Sequence, residues 1–262
     1  MTVVQNTELR HRCELLRSLH LPGTPLLLPN VWDAATARAV VTAGFPVVAT
    51  TSGGVAATLG YEDQEGAPAE EMFGAAARIV RAVEVPVTVD AEAGYGMEPT
   101  ALVAALQSLG AAGCNLEDTD HRNGGFRTTD QQATWLAAVR RAAVEADYPF
   151  VINARVDVFL GPLLAGADAE ALAKLVPEAV ERGTAYAEAG ADCVYPIGLW
   201  EPDALQDFIE QVGSPVNVVR LPQTPPVDQL AALGVARVSW GPFLHYAAMA
   251  GFADQLGSLS AG

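Results

Sequence analysis

"VEVPVTVDAEAGYG", residues 83–96, passes from an apolar run into two acids, Asp90 and Glu92, and then into two glycines. The β-branched run reads as a buried strand, and the glycines read as the turn that ends it. Two neighbouring negative charges cost free energy unless a cation or a proton offsets them. A strand ending this way therefore marks a place where the fold holds carboxylates together for a reason.

The same rhythm recurs on both sides. "PLLLPN" at 25–30, "PVVATT" at 46–51, "CNLED" at 114–118, "PFVINARVD" at 149–157 and "ADCVYPIG" at 191–198 are short apolar segments, as are "PVNVVRL" and "VARVSWG" further on. Between them lie segments with apolar residues at three- and four-residue spacing, such as "AEEMFGAAARIVRAV" and "TDQQATWLAAVRRAAVEA". Strands alternating with helices mean βα units and a parallel sheet. About eight such units in a chain of this length predict a (β/α)8 TIM-type barrel. Several helices should close on glycine, at Gly44, Gly110, Gly190 and Gly234. An open doubly wound sheet is the alternative, and the GxGxxG fingerprint usual for it is absent. We expect one domain over 1–262, with an N-terminal helical extension at 1–24 and a C-terminal helical segment at 241–262.

Composition narrows the function. The chain has 262 residues, is half hydrophobic, and carries a formal charge of −16. So acidic a protein repels nucleic acid and anionic membranes. No apolar run is long enough to span a bilayer, and the N-terminus has no apolar stretch behind a basic head, so a cytoplasmic location is expected. Cys13, Cys114 and Cys193 are widely spaced and form no CxxC pair, which predicts packed thiols. Lys174 is the one lysine and falls within a helical segment, away from every strand end. That argues against Schiff-base and pyridoxal phosphate chemistry.

In a barrel the chemistry lies at the C-terminal strand ends. Those ends carry Asn30, Trp32 and Asp33; Thr51, Ser52, Gly53 and Gly54; Asp90 and Glu92; Glu117 and Asp118; Asn153, Arg155 and Asp157; then Tyr195 and Asn217. Strand alternation places Asp90 and Glu92 on one side, with Glu117 beside them on the next strand. Three converging carboxylates suit a hard divalent cation, Mg²⁺ with Mn²⁺ as the alternative, and too few histidines or cysteines cluster for zinc. Capping and pairing with Arg155 are the plain structural roles open to the same acids. Arg155 suits bidentate binding of a substrate carboxylate, and "TSGG" can offer backbone N–H groups to an anion.

"NVWDA" (30–34), "TSGGVAATLGYED" (51–63), "VDAEAGYG" (89–96), "NLED" (115–118) and "INARVD" (152–157), in this order, resemble the isocitrate lyase/phosphoenolpyruvate mutase superfamily. The resemblance implies a (β/α)8 barrel whose last helix is swapped between subunits of a dimer or tetramer. It also implies Mg²⁺-dependent C–C or P–C bond chemistry next to a carboxylate, through an enolate. Ser52, Gly53 and Gly54 would then hold the substrate carboxylate, with Trp32 and Asn217 lining the pocket. Asp63 would lie in the outer metal shell, with Asp90, Glu92 and Glu117 nearer the ion, and Arg155 would grip the substrate.

The departures are as informative. The lyases carry Lys-Cys-Gly-His in the loop after the fourth strand, whereas this loop reads "DTDHRNGGFRTTD". His121 or Arg122 is positioned to enter the site when such a loop closes. "ARVDVF" is similar to the mutase branch, but Ile197 stands where the mutases have a histidine. The leading expectation is a lyase or decarboxylase of a small 2-oxo or 2-hydroxy di- or tricarboxylate, with Arg155, Glu117 and His121 as its catalytic groups. Phosphonate P–C chemistry and a non-catalytic 2-oxoacid-binding barrel are the alternatives. Phe243, Leu244, Met249 and Phe252 on the last helix point to a homo-oligomer.

Overall fold

The computed structural model describes residues 3–260. It opens with α1 (Val3–Ser18), followed by two short strands, β1 (Leu26–Leu28) and β2 (Asn30–Val31). Then come α2 (Ala34–Thr42), β3 (Val48–Thr50), α3 (Ser52–Leu59), α4 (Ala69–Val80), β4 (Val87–Asp90), α5 (Pro99–Leu109) and β5 (Gly113–Glu117). The second half runs α6 (Thr129–Glu145), β6 (Val151–Val156), α7 (Leu160–Leu164), α8 (Ala169–Ala173), α9 (Val176–Glu188), β7 (Cys193–Pro196), α10 (Pro202–Val212), β8 (Asn217–Val219), α11 (Val227–Ala232), β9 (Arg237–Ser239) and α12 (Phe243–Ser260).

All strand pairing between these elements is parallel. One ribbon runs β2-β3-β4-β5-β6-β7 and the other β1-β9-β8. Pro29, which has no N–H to give a ladder, separates β1 from β2. The single extended stretch 26–31 therefore pairs with β9 through its first half and β3 through its second. At the other seam the Val194 N–H donates to the Pro215 carbonyl at 2.9 Å, and Val194 bridges Val216 in parallel. Eight staves thus close on themselves, as the alternation of segments predicts.

Local chemistry sets the helix ends. Pro99 opens α5 at its first turn, and Thr128 and Gln131 form a reciprocal capping box at the start of α6. Gly44, Gly110, Gly190 and Gly234 all adopt positive φ where the sequence places helix ends. The three cysteines are buried thiols. Among the described residues, no helix is long and apolar enough to cross a membrane.

Helix α1 plugs the barrel's N-terminal mouth. Leu9, Cys13 and Leu16 are buried, and Leu16 lies so close to Gly113 that a Cβ there would approach it to 2.8 Å. Behind this plug the barrel centre is polar. Arg237, 1% exposed, donates to Asn115 Oδ1 at 3.0 Å and faces His20 Nε2 at 3.5 Å. His20 Nδ1 lies 2.8 Å from the Leu16 carbonyl, so this nitrogen carries the proton and Nε2 is left to accept.

Burial, then the charge of Arg237, pushes the His20 pKa down to about 4 from an ordinary 6.5. The folded state binds this proton less well than the unfolded chain, so the contribution is complete above pH 6.5 and is lost as pH falls toward 4. The His20 share should be about 2.5 kcal/mol between pH 7.5 and 4.5. Urea unfolding at the two pH values checks it: His20→Gln should lose less stability than the wild type over that interval.

Candidate active site

The C-terminal rim is built from strand ends and the loops that follow them. Asp90 closes β4 in register with Asn115, and its Oδ2 accepts from the Ser52 N–H at 3.0 Å. Its own N–H donates to the Thr50 hydroxyl at 2.8 Å, and Asn115 Nδ2 lies 3.5 Å from Oδ1. "TSGG" is therefore the entry to α3, with Thr51 as N-cap residue and Ser52, Gly53 and Gly54 forming its first turn. First-turn N–H groups have no partners within their own helix, which is why one can bind a carboxylate.

Glu92 reaches this rim by a route that strand alternation does not predict. The strand stops at Asp90, and Glu92 sits in the following turn with φ +47°. Its carboxylate, 3% exposed, accepts from the Glu65 N–H at 2.6 Å and from the Tyr95 hydroxyl. The Tyr95 N–H in turn donates to Glu65 Oε1 at 2.5 Å. Gln64, Glu65, Glu92 and Tyr95 are four of the five described non-glycine residues with positive φ. Each such conformation costs about 1–2 kcal/mol. Hydrogen bonds to charged groups contribute about 1.5–3 kcal/mol each, enough to hold the two strained turns against one another.

Glu117 ends β5 opposite Arg155. It pairs with Arg155 Nη2 through one oxygen and with His121 Nε2 through the other, at 2.5 Å. Arg155 also sends Nε and Nη2 to Asp157 at 2.6 and 2.9 Å. The guanidinium fork expected to clasp a substrate carboxylate is therefore engaged by two of the protein's own acids, and Nη1 lies outside these bonds. The loop carrying His121 is folded inward as a small hairpin, with Thr119 bridging Phe126 and a tight turn over Asp120–Gly125. Arg122 turns the other way, over Gly96 toward the Tyr95 carbonyl.

Ser52, Asp63, Asp90, Glu92, Glu117, His121 and Arg155 face one cavity of about 510 Å³. Asp63 stands at its open rim and turns its carboxylate against Gly53, where a Cβ would come within 2.9 Å of Oδ2. Of the residues expected to bind substrate, Trp32, Gly53, Gly54 and Asn217 are not among those that line the cavity. Trp32 packs edge-on against His245 of α12, 5.0 Å between ring centres, and against the bare face of Gly54. Gly54 thus serves this packing. Asn217 opens β8 rather than ending it, so it lies inside the barrel below the pocket and donates to the Ser239 hydroxyl at 3.1 Å. Lys174 lies on the outside, paired with Glu170 at 2.9 Å.

The pocket's electrostatics follow from this crowding. Burial, then the charge of Asp90, raises the Asp63 pKa. Burial raises Glu92 to about 7, against a hydrogen bond from Tyr95 and with the help of Asp90. Burial likewise pushes Glu117 up, with Arg155 working against the shift. Burial of the His121 ring lowers its pKa, but the hydrogen bond and charge of Glu117 outweigh that and leave it raised. Among the described residues, no three His, Cys, Asp or Glu side chains come close enough to hold a metal by themselves. The three acids do not form the compact cluster that their strand positions predict, because Glu117 is drawn to Arg155 and Glu92 to the turn at Glu65. The donors are all oxygen, and Mg²⁺ commonly binds through one or two carboxylates, keeping water and substrate oxygens for its other positions. Asp90, with Asp63 beside it, fits that pattern.

The chain resembles characterised proteins over most of its length. A family model described as phosphoenolpyruvate phosphomutase matches residues 16–259. A solved structure from Burkholderia cenocepacia J2315, of a protein described provisionally as a phosphonomutase, is 40% identical with a TM-score of 0.89, covering 95% of this chain and 99% of that one. The phosphoenolpyruvate phosphomutase of Streptomyces hygroscopicus is 30% identical over 246 residues, covering 90% of this chain and 76% of that protein. The 2-methylisocitrate lyase of Escherichia coli K12 is also 30% identical, over 242 residues, covering 84% of this chain and 78% of that protein.

One acid missed as a site residue anchors the Asp157 side of the rim. Asp118, fully buried, accepts from Arg182 Nη1 at 3.0 Å, the Tyr186 hydroxyl at 2.7 Å and the Asp157 N–H at 3.0 Å. Arg182 also donates to the Arg127 carbonyl at 2.9 Å, which ties down the far side of the His121 loop. Removing one partner of a buried ion pair leaves the other charge uncompensated, at a cost of roughly 3–5 kcal/mol. Arg182→Met should fall toward the lower end, about 3 kcal/mol, because Tyr186 and the Asp157 N–H still serve Asp118. Urea unfolding at pH 7 reads this directly.

Proposed function

The chain belongs to the phosphoenolpyruvate mutase/isocitrate lyase superfamily of enzymes, and from that premise we propose that it breaks a carbon–carbon bond next to a carboxylate, with Mg²⁺ as cofactor. Its substrate is a small 2-oxo or 2-hydroxy acid. Sequence identity does not choose between lyase and mutase, since one relative of each kind is 30% identical. The pocket chooses. The observation that carries the reading is His121, seated on Glu117 at 2.5 Å and facing the same cavity as Asp90 and Ser52.

Asp90 would hold the cation, Asp63 and Glu92 would surround it, and the first turn of α3 would receive the substrate carboxylate. Mg²⁺ bound there would polarise the substrate carbonyl and offset negative charge on an enolate. The chain's own residues supply the rest. Take a 2-oxo acid that loses a C4 carboxylate as carbon dioxide: the C3–C4 electron pair stays behind as the C2–C3 enolate, and one proton must return to C3. His121 is the donor for that proton. Its bond to Glu117 favours the doubly protonated ring, which keeps the Nε2 proton on Glu117 and has the Nδ1 proton to give. Arg155 holds Glu117 and Asp157 in place by charge and hydrogen bonding. His121 thus takes the role that the lyases give to a loop cysteine.

Phosphonate chemistry is the second reading, favoured by the likeness to the Burkholderia protein. Against it, Ile197 stands where the mutases have a histidine, and Arg155 is the one arginine or lysine facing the pocket. Turnover of oxaloacetate, 2-methylisocitrate and phosphonopyruvate, each with and without Mg²⁺, separates the readings. Mg²⁺-dependent loss of phosphonopyruvate alone would overturn the carbon–carbon assignment.

We also infer that copies of the chain associate through α12. His245 is the one buried residue described for that helix, while Tyr246, Met249, Phe252, Leu256 and Leu259 are exposed. An apolar row of this kind marks an interaction surface.

Three outcomes are expected. His121→Ala should lower kcat by about 10²–10⁴-fold in steady-state assays. In the wild type, kcat should fall as pH rises through the raised His121 pKa, and His121→Asn should lack that alkaline limb. Light scattering should give a mass of two or four times the 27.4 kDa chain, and Phe252→Asp should lower it.

A further inference from the structure

The cavity has two unlike halves. One carries the carboxylates, His121 and the Ser52 turn. The other is formed by Leu160 and Leu163 of α7, Ile197 after β7, Val219 and Leu221 at the end of β8, and Phe243 at the start of α12. Each comes from a strand end or the helix that follows it, so this wall is as much a product of the barrel as the acidic one.

Charge then restricts the ligand. Asp63, Asp90, Glu92, Glu117 and Asp157 all face the cavity, and Arg155 is its one arginine or lysine. Arg155 is already paired with Glu117 and Asp157. A carboxylate reaching across to the leucine wall would lose its water and meet no cation, which is unfavourable by several kcal/mol. An alkyl group there instead gains about 0.8 kcal/mol per buried methylene.

We propose that the substrate carries an apolar arm: a 2-oxo or 2-hydroxy acid whose reacting carbons and leaving carboxylate stay at the Asp90–Ser52 end, with a short alkyl substituent on C3 directed at Leu163 and Ile197 and no carboxylate on that substituent. The proposal rests on the reading that the substrate's carboxylate end sits at Asp90 and Ser52, and it narrows the substrate class for that site. It disfavours tricarboxylates, because the third carboxylate would be placed against that wall.

N-substituted oxamates isolate the two halves. The oxamate core mimics the planar enolate end, as oxalate does, while the nitrogen substituent points away from it. Calorimetric titration of the full-length protein in Mg²⁺ would compare oxalate, oxamate and its N-methyl, N-propyl and N-butyl derivatives. Affinity should rise roughly two- to fourfold per added methylene. N-carboxymethyl oxamate, matched in length to the propyl compound, should bind at least tenfold more weakly than it. In Leu163→Asp the ratio of N-butyl oxamate to oxalate affinity should collapse toward one, with Ile197→Asn as a second variant should the first not fold. Oxalate binding with flat or falling affinity along the alkyl series would overturn the apolar half alone. So would tighter binding of the carboxymethyl compound. Failure of oxalate itself to bind in Mg²⁺ would overturn the underlying reading of the carboxylate end.

Discussion

Five carboxylates facing one cavity, with a single arginine among them, is the constraint from which the rest of the site follows. Left alone, such a cluster would repel itself and take up protons. The chain instead gives four of the five defined donors. Asp90 has the Ser52 N–H at the mouth of α3, and Glu92 has Glu65 and Tyr95. Glu117 and Asp157 share Arg155. The Ser52 and Glu65 N–H groups are fixed by backbone and the Tyr95 and Arg155 side chains hold the rest, so the acids stay apart and aimed. The cost is visible in the left-handed conformations at Gln64, Glu65, Glu92 and Tyr95, clustered where the carboxylates need them.

The barrel makes this arrangement rigid. Asp90 and Glu117 occupy the ends of adjacent parallel strands, so their separation is set by hydrogen-bonded register. Asp118, one residue further, binds back to Arg182 and Tyr186 on α9 and to the start of the Asp157 loop. Its neighbour Glu117 faces the cavity while Asp118 faces the helices, which is the alternation of a strand put to two uses. Through Arg182 and Arg127 the same anchor reaches the loop that carries His121. His121 and this side of the carboxylate rim are thereby parts of one network.

Much of this is legible in sequence, and the limits have physical causes. Strand-helix alternation and the polar strand ends locate the barrel, Asp90, Glu117 and Arg155, because both depend on local pattern. The eight-stave closure is legible too, although Pro29 splits the first stave. Glu92 lies in the right pocket for a different reason, since a turn and not strand alternation delivers it. Asn217 is misplaced because "PVNVVRL" does not reveal which end of a three-residue strand it occupies. The Glu65–Glu92–Tyr95 clamp joins two loops 27 residues apart, and the Asp118–Arg182 pair spans 64. No local pattern signals such pairings. The engagement of Arg155 by Asp157 lay nearer to hand: an acid two residues on, along a strand, shares its face.

The two halves of the cavity give the family fold a particular use. On the proposed function the acidic half would take the carboxylate and enolate end of the substrate, and the leucine-lined half would take its alkyl arm. The most direct test is a crystal structure of the protein grown with Mg²⁺ and oxalate. The account predicts an ion beside Asp90, oxalate between it and the first turn of α3, and His121 still on Glu117 at the edge of the same cavity. An ion bound away from Asp90, or oxalate seated against the leucine wall with His121 turned out to solvent, would contradict it.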